Sequence, residues 1–430
     1  MAYLFLTIYT VLLLIRPQEW QFLGIQNLPI VQFTLIGCLA AYPLVENKNL
    51  KAPQVPLMVI FTLVLIVSVV IGAGWVGGAI TLGTEFVQQS FIPFLLICGV
   101  VNTLKKQYVI FFIIAASALF MVANGYAQYT SEDGSGIVGN FILEAQGAKR
   151  ITYLGILSDP NDLGMFLVMS IPIVFLLKSR ASFLFRAFYW FVLVAILGGI
   201  YMTNSRGTLL ATMMLFGFWY WRTYGTTKTL FASLIASPAF LVVMSQFREI
   251  DVEEAGAQGR IDAWYAGYQM FRSNPIIGIG HRQFTEYHEE TAHNSFVLVF
   301  SEMGIVGCMV WVAILLSTVV ILYQISEKKF LDPDIQLNEK LATIRDQESL
   351  IATTLLYCFV AFAVSGFFLS RSYIPILYIY IGMAAATAGR INISFPKATI
   401  RFEYRKIMAM SFYVTIVGII GVYVLVRIGL

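Results

Sequence analysis

The sequence predicts an all-α polytopic integral membrane protein with about 12–13 transmembrane helices. Hydrophobic residues make up 58% of its 430 residues, charged residues only 12%, and the mean hydropathy is +0.77. A soluble domain carries roughly 25% charged residues, so this composition suits a chain whose surface faces lipid. Apolar segments that approach the roughly 20 residues needed to cross a bilayer also recur along the chain. We therefore expect a single membrane domain over residues 1–430.

Thirteen apolar segments are the predicted spans, and the first of them is short for a bilayer. They cover residues 2–15, 28–45, 55–73, 84–101, 107–125, 161–177, 187–202, 208–221, 229–246, 305–324, 350–369, 373–389 and 407–427. Charges inside them are few, chiefly Glu85, Asp159 and Asp162 near the predicted outer edges. The four cysteines all lie in apolar stretches, which favours small core residues over disulfides.

The Lys and Arg distribution predicts the orientation, because basic residues concentrate in cytoplasmic loops. With the N-terminus in the cytoplasm, 18 of the 28 basic residues face that side, 11 of them Lys and 7 Arg. The outer set holds one Lys and nine Arg: Arg16, Lys149, Arg150, Arg206, Arg248, Arg260, Arg272, Arg282, Arg371 and Arg427. This orientation makes 247–304 a long periplasmic loop region and 325–349 a cytoplasmic loop.

Arginine is the residue that binds phosphate or carboxylate in a bidentate way, so an outer surface with nine Arg and one Lys indicates anion binding. The competing interpretation is that these arginines pair with outer carboxylates such as Glu249, Asp251 and Asp262. The sequence leaves both interpretations open for any single arginine.

The three histidines of the chain, His281, His288 and His293, all lie in the long outer loop. His288 and His293 are five residues apart, and residues five apart do not share a helix face. A zinc site of the HExxH type is therefore excluded, and we predict no metal and no cofactor. His281 and His288 read as ordinary loop residues. His293 precedes an apolar helical run for which Asn294 and Ser295 can supply capping oxygens.

Two groups of motifs carry a family resemblance. The first runs from Gly278-Ile279-Gly280 through Ala292-His293-Asn294-Ser295-Phe296 to Glu302-Met303-Gly304-Ile305-Val306-Gly307. The second is Ser205-Arg206-Gly207, preceded by Asp159-Pro160-Asn161-Asp162-Leu163-Gly164. Together they resemble the O-antigen ligase and O-antigen polymerase superfamily. The opening Arg16-Pro17-Gln18-Glu19-Trp20 also resembles the subgroup of O-glycosylation ligases.

The resemblance implies a fold related to the GT-C glycosyltransferases and a glycan donor linked to undecaprenyl diphosphate. It implies transfer on the periplasmic face of a bacterial inner membrane, without a metal. The family's functional residues correspond to Arg206, Arg260 and His293, which we predict to be catalytic. Residues predicted to bind the diphosphate or the glycan are Arg150, Arg272, Arg282, Asn294 and Arg371.

The function predicted from these residues is an inverting glycosyltransferase that moves the glycan to an acceptor hydroxyl. The acceptor stays open: a growing lipid-linked glycan makes the protein a polysaccharide polymerase, a lipid A core makes it an O-antigen ligase acting in lipopolysaccharide synthesis, and a protein side chain makes it an O-oligosaccharyltransferase. A flippase or transporter is the alternative of another class. It predicts polar residues at mid-membrane and related halves, neither of which the sequence indicates.

Overall fold

A computed structural model describes residues 1–25, 28–145, 147–246, 253–331, 337–396 and 400–429. Within these ranges the chain forms sixteen α-helices and one two-stranded ribbon. The helices are α1 Ala2–Ile15, α2 Ile30–Ala41, α3 Gln54–Gly72, α4 Val76–Phe86, α5 Ile92–Val100, α6 Leu104–Thr130, α7 Pro160–Ser179, α8 Phe183–Met202, α9 Arg206–Tyr224, α10 Thr226–Gln246, α11 Glu253–Ser273, α12 Phe284–Tyr287, α13 Ser295–Ser326, α14 Glu339–Phe367, α15 Pro375–Ser394 and α16 Tyr404–Gly429. The ribbon pairs β1 Leu143–Ala145 with β2 Ala148–Arg150 in antiparallel register.

Each of the thirteen predicted spans falls on a helix, which confirms an all-α polytopic membrane protein. In the described ranges nine helical segments are long and apolar enough to cross a membrane, with α4 and α5 joined through a π-helical turn at Val87–Phe91. The other four predicted spans fall on α1, α2, α9 and α10. All four cysteines are buried and free, as the prediction of core cysteines requires.

Two segments differ from the expectation. Within the predicted loop region 247–304, Arg260 lies on the 21-residue helix α11. The predicted span 305–324 is the second part of α13, which begins ten residues earlier at Ser295 and is broken at Gly304. Both differences arise in the long outer loop region, of which residues 247–252 lie outside the described chain.

The described chain divides into two compact units. Unit 1 holds Met1–Glu46, Thr103–Arg248 and Thr353–Ser365. Unit 2 holds Asn47–Asn102, Glu249–Ala352 and Gly366–Leu430. The single membrane domain expected from the sequence stays a prediction.

A polar network orders the first outer segment of unit 1, between α6 and α7. Asn140 donates from Nδ2 to the Tyr153 carbonyl at 3.0 Å, and the Asn124 Oδ1 accepts from the Val138 N–H at 3.1 Å. The Gln128 Oε1 accepts from the Thr152 N–H at 3.0 Å. Buried backbone groups need partners in the absence of water, and these amides supply them. The segment that carries β1 and β2 is therefore held onto the end of α6.

Unit 2 contains a sharp break in α13 at Gly304, whose backbone has φ 61° and ψ −165°. The freed backbone groups pair with an extended segment that follows α11. The N–H groups of Ile279 and Gly280 donate to the carbonyls of Ser301 and Glu302 at 3.0 and 2.9 Å. The Ile305 N–H donates to the Pro275 carbonyl at 2.9 Å. The signature motifs 278–280 and 302–307 are thus two sides of one backbone contact.

Glycine is required on both sides of this contact. A Cβ on Gly304 would lie 2.4 Å from the Ile276 carbonyl oxygen, and a Cβ on Gly278 would lie 2.3 Å from that of Glu302. Gly278 also has φ +80°. The backbone region occupied by Gly304 is essentially restricted to glycine.

The break changes the direction of α13 relative to its neighbour α16. Cys308 lies beside Thr415, whereas Phe296 packs where a Cβ on Gly418 would meet its ring at 2.3 Å. Twelve residues of helix advance about 18 Å and three residues about 4.5 Å, so parallel straight helices could not make both contacts. The residues before Gly304 therefore run across α16 and not along it.

The expectation of few buried charges was incomplete, because three further charged residues are buried in unit 2. The Arg390 guanidinium binds the Glu348 carboxylate through two hydrogen bonds of 2.7 and 2.8 Å, and its Nη1 donates to the Val101 carbonyl at 3.0 Å. The third is Glu302, whose side chain is 2% exposed. Glu302 and Arg390 each stand alone among apolar residues, and Glu348 follows other polar residues in the predicted cytoplasmic loop, so nothing in the sequence marks the three as buried.

The orientation is testable by cysteine labelling, since the four native cysteines are buried. Thr285 is exposed on α12. We expect Thr285→Cys to react with a membrane-impermeant maleimide in cells in which only the outer membrane has been made permeable. Thr343→Cys, exposed on α14, should react only after the inner membrane is opened. The reverse pattern would invert the topology.

Replacement of Gly304 by alanine should destabilise unit 2. The variant places a Cβ against the Ile276 carbonyl and forces a side chain into a glycine-only backbone region, which costs about 1–3 kcal/mol. The measurement is the thermal unfolding midpoint of the purified protein in detergent. Gly421→Ala is the matched control, because no atom lies within 4 Å of its Cβ position in α16. Equal midpoints for both variants would contradict the role of the break.

Candidate functional site

Arg206 lies in unit 1 as the first residue of α9, directly after a tight turn. Asn204 has φ 48°, an uncommon conformation for a non-glycine residue. Ser205 is the N-cap, and its Oγ accepts from the Thr208 N–H at 3.3 Å and from the Thr208 hydroxyl at 2.8 Å. The turn therefore fixes the backbone of Arg206, whose side chain is half-buried.

Arg150 is held against the same turn. Its Nε donates to the Thr203 carbonyl at 3.1 Å, and its Nη2 donates to the Asn161 Oδ1 at 3.0 Å. Burial lowers the pKa of the Arg150 guanidinium, an effect that the nearby Asp159 carboxylate opposes. The guanidinium remains charged at neutral pH because arginine does not deprotonate in proteins. The structure thus brings the Arg150 side chain to Thr203, three residues before Arg206.

The segment that begins α7 packs on this turn as well. The Asp159 carboxylate caps α7 by accepting from the Asn161 N–H at 2.7 Å. Gly164 faces α9, where a Cβ would lie 2.2 Å from the Thr208 Oγ1. The two unit 1 motifs singled out in the sequence, 159–164 and 205–207, are therefore parts of one packed region.

His293 lies in unit 2 immediately before α13, with φ 46°. Its Nε2 is 3.2 Å from the Glu290 Oε2, and its side chain is 37% exposed. Non-glycine residues with positive φ are uncommon, and such strain often accompanies functional sites. The Glu290 carboxylate can orient the imidazole, which leaves Nδ1 for another partner.

Asn294 is the N-cap of α13, as the sequence predicted. Its Oδ1 accepts from the N–H groups of Phe296 and Val297 at 2.9 and 3.0 Å. Ser295 has a different role from the predicted one. Its hydroxyl donates to the Leu369 carbonyl at 2.5 Å and accepts from the Arg371 N–H at 2.9 Å. The structure therefore brings the Arg371 backbone to the residue that follows Asn294.

Arg260 is placed beside the same loop of unit 2. Its guanidinium carbon lies 5.9 Å from the centre of the Phe368 ring, and Trp264, one turn along α11, contacts Phe367 edge-on at 5.5 Å. The Arg260 side chain is exposed at the surface of the unit, yet adjacent apolar groups lower the pKa of its guanidinium by desolvation. Arg260 thus lies beside the segment 367–371, whose Leu369 and Arg371 backbone groups bind Ser295 at the start of α13.

Two other predicted residues have separate surroundings. Arg282 binds Glu85 through Nη1 at 2.7 Å, an ion pair whose side chains are 50% and 33% exposed. Arg272 lies twelve residues after Arg260 on α11, so their backbones are about 18 Å apart along the helix. Arg248, Glu249 and Asp251 lie outside the described residues. Asp262 accepts a hydrogen bond from Gln258 at 3.2 Å.

A buried polar cluster of unit 2 was missed in the sequence. The His281 Nδ1 lies 3.6 Å from the Glu302 Oε2, and both side chains are 2% exposed. The other carboxylate oxygen accepts from the Phe284 N–H at 3.3 Å. The centres of the Tyr373 and His281 rings are 4.2 Å apart. Burial and the Glu302 carboxylate raise the pKa of Tyr373 well above its usual value.

His281 lies in a turn near a carboxylate, as its sequence context suggested, but its side chain is buried. The His281 Nδ1, the Glu302 Oε2 and the Tyr373 hydroxyl are buried without a formed hydrogen bond among the described residues. The cluster joins the segment after Gly280 to α13, and only the short distance between residues 281, 302 and 373 in the fold could have identified it.

The three histidines have different partners. His281 faces Glu302, His293 faces the Glu290 carboxylate, and the His288 Nδ1 accepts from the Glu290 N–H at 3.2 Å. Within the described ranges, no three His, Cys, Asp or Glu side chains are grouped as metal ligands.

Removal of the Glu302 carboxylate should destabilise the outer part of unit 2. In Glu302→Ala the buried Phe284 N–H loses its acceptor, at a cost of about 1–3 kcal/mol, and His281 loses the carboxylate that faces it. Glu302→Gln keeps an acceptor oxygen and should unfold at a temperature between those of wild type and Glu302→Ala. Thermal unfolding in detergent measures this order, with exposed Glu286→Ala as control. A wild-type midpoint for Glu302→Ala would show that the cluster contributes nothing.

A comparison with known families gives one match. Residues 191–312 match the family model described as O-antigen ligase. The matched segment runs from α8 into α13 and contains Arg206, Arg260, Arg272, Arg282, His293 and Asn294, whereas Arg150 and Arg371 lie beyond it. No curated protein matches the chain significantly. The match indicates activity of the ligase and polymerase type in a multi-pass membrane protein, and it confirms the resemblance of this chain to the O-antigen ligase and O-antigen polymerase superfamily.

Proposed function

We propose that the protein is a glycosyltransferase that moves a glycan from undecaprenyl diphosphate to an acceptor hydroxyl at the periplasmic face of the bacterial inner membrane. The observation that carries this proposal is the arrangement at the start of α13. A strained histidine, His293, precedes a capped helix N-terminus, to which the segment 367–371 is bound through Ser295. Arg260 lies against Phe368 of that segment. The same segment lies in the match to the O-antigen ligase family.

Arginine suits the leaving group of this reaction. When the acceptor oxygen bonds to the sugar C1, the bond from C1 to the diphosphate oxygen breaks, and the electron pair leaves with the diphosphate. Guanidinium groups stabilise this charge through bidentate hydrogen bonds, without a metal. In unit 2, Arg260 is the proposed residue for this role, and Arg282 and Arg371 are further candidates for binding the donor. In unit 1, Arg206 is the proposed residue for this role, with Arg150 held against the same turn.

His293 suits the acceptor. Its Nε2 faces the Glu290 carboxylate, so that Nδ1 can take the proton that the acceptor hydroxyl releases on attack. Direct attack on C1 from the side opposite the diphosphate inverts the anomeric centre. Asn294 uses its side-chain oxygen to cap α13, so its contribution to binding is the placement of His293.

Three acceptors fit this chemistry: a growing lipid-linked glycan, a lipid A core or a protein hydroxyl. Analysis of lipid-linked glycans with and without the protein distinguishes them, because longer chains on the same lipid indicate a polymerase. Glycan moved onto lipid A or onto protein indicates a ligase. If the lipid-linked glycan crosses the bilayer but is not transferred, the protein is a flippase and the proposal is overturned.

Replacement of Arg206 separates charge from geometry. Arg206→Ala should lower the rate of transfer about 100- to 1,000-fold, the usual effect of losing one donor to a developing oxyanion. Arg206→Lys should recover only part of it, because lysine is a point charge without a planar fork. Transfer from a purified lipid-linked glycan measures both rates, with Arg222→Ala at the far end of α9 as control. Wild-type activity in Arg206→Ala would remove this arginine from the site.

Replacement of His293 tests its acid–base role. His293→Ala should lower the transfer rate about 100- to 10,000-fold, the range of general acid–base catalysis. His293→Gln keeps a hydrogen-bond donor but takes no proton near neutral pH, so it should be nearly as impaired. His288→Ala is the matched control because His288 is a half-buried histidine of the same loop. High activity in His293→Gln would restrict His293 to orienting a substrate.

A further inference from the structure

A pocket of about 330 Å³ lies in unit 2 between α11 and the C-terminal end of α16. Tyr265, Tyr268, Gln269 and Arg272 line it from α11. Tyr423 and Arg427 line it from α16. Binding pockets for small ligands measure about 300–1,000 Å³, so this one suits a ligand of one or two rings.

The α11 side of the pocket has an unusual composition for a helix contact. Residues 265, 268, 269 and 272 follow the spacing of a single helix face, and a face that packs on another helix is normally apolar. A different face of α11 is apolar, and its residues Ala263, Gly267 and Met270 are buried. The polar face turned to α16 is therefore not explained by packing.

The charges of the pocket favour an anion. Among the described residues, no carboxylate pairs with Arg272 or with Arg427, and none lines the pocket. The Arg427 Nε instead donates to the Tyr423 hydroxyl at 3.3 Å, with its guanidinium 5.5 Å from the centre of that ring. Two guanidinium groups without a counter-ion in the described part of the chain attract a carboxylate or phosphate.

The aromatic groups favour a sugar ring. The rings of Tyr268 and Tyr423 are 5.2 Å apart and tilted by 40°. Tyrosine combines a flat apolar face with a polar hydroxyl, which suits the C–H face and the hydroxyl groups of a pyranose. Gln269 adds both a donor and an acceptor.

We propose that this pocket is a subsite for an acidic sugar, one that bears a carboxylate or phosphate, within the glycan that the protein transfers. The choice of a sugar as ligand rests on the proposed function. The site binds the glycan away from the reacting diphosphate, since Arg272 is about 18 Å along α11 from Arg260. The competing source of the same anion is the headgroup of a membrane lipid, because tyrosine and arginine also gather at membrane interfaces.

Direct binding to the full-length protein tests the subsite without any transfer reaction. The protein is placed in phosphatidylcholine nanodiscs and titrated by ligand-observed NMR with a disaccharide that contains glucuronic acid. The neutral glucose analogue is the matched probe. We expect the acidic disaccharide to bind about tenfold more tightly than the neutral one, since a charge-assisted hydrogen bond contributes that much affinity. Arg272→Gln and Tyr268→Ala should each lose about the same factor.

Tyr413→Ala and Arg405→Gln, which alter exposed residues of α16 outside the pocket, should bind like wild type. Undiminished binding in Arg272→Gln, or equal binding of the two disaccharides, would overturn the subsite. So would an Arg272-dependent enrichment of phosphatidylglycerol that displaces the acidic disaccharide, because it assigns the pocket to a lipid headgroup. If the wild-type protein binds the acidic disaccharide but transfers no glycan, the proposed function is refuted and the subsite is not.

Discussion

The contact between the backbone of 275–280 and the break in α13 positions the outer part of unit 2. A helix that is interrupted near the membrane exposes N–H and C=O groups that lipid cannot satisfy, so another backbone must approach to within hydrogen-bonding distance. Gly278 and Gly304 make that approach possible. The contact then determines where α11 ends, where the segment with His281 begins and how the first part of α13 is directed.

The charged residues of unit 2 fall into a buried group with partners inside the fold and an exposed group at its surface. Glu348 with Arg390, and Glu302 with His281, lie where water is excluded, and each faces an opposite or titratable partner. An uncompensated buried charge is strongly destabilising, so these residues are needed for the fold. Arg260 and His293 stand at the surface of the unit, where a charged ligand can reach them. Exposure and burial therefore separate the residues proposed to bind substrate from the residues that support the fold.

Much of the fold could be predicted because the length of an apolar run is a local property. The position of all thirteen spans and the cap at Asn294 depend only on neighbouring residues. The break at Gly304 could not be predicted, since a glycine in an apolar run also fits a straight helix. The pairing of His281 with Glu302 depends on residues 21 apart, whose proximity exists only once the backbone contact has formed.

The same limit explains why residue type alone could not rank the outer arginines and histidines. Arg282 and Arg260 lie in one loop region of the sequence, but Arg282 is neutralised by Glu85, whereas Arg260 faces an aromatic ring. His281 and His293 are twelve residues apart, but one is enclosed with a carboxylate and the other has a strained backbone beside a helix N-terminus. The cap at Asn294 and the segment bound by Ser295 fix the backbone next to His293, and the Glu290 carboxylate faces its imidazole. Such preorganisation favours His293 over His281 as the residue that meets a substrate.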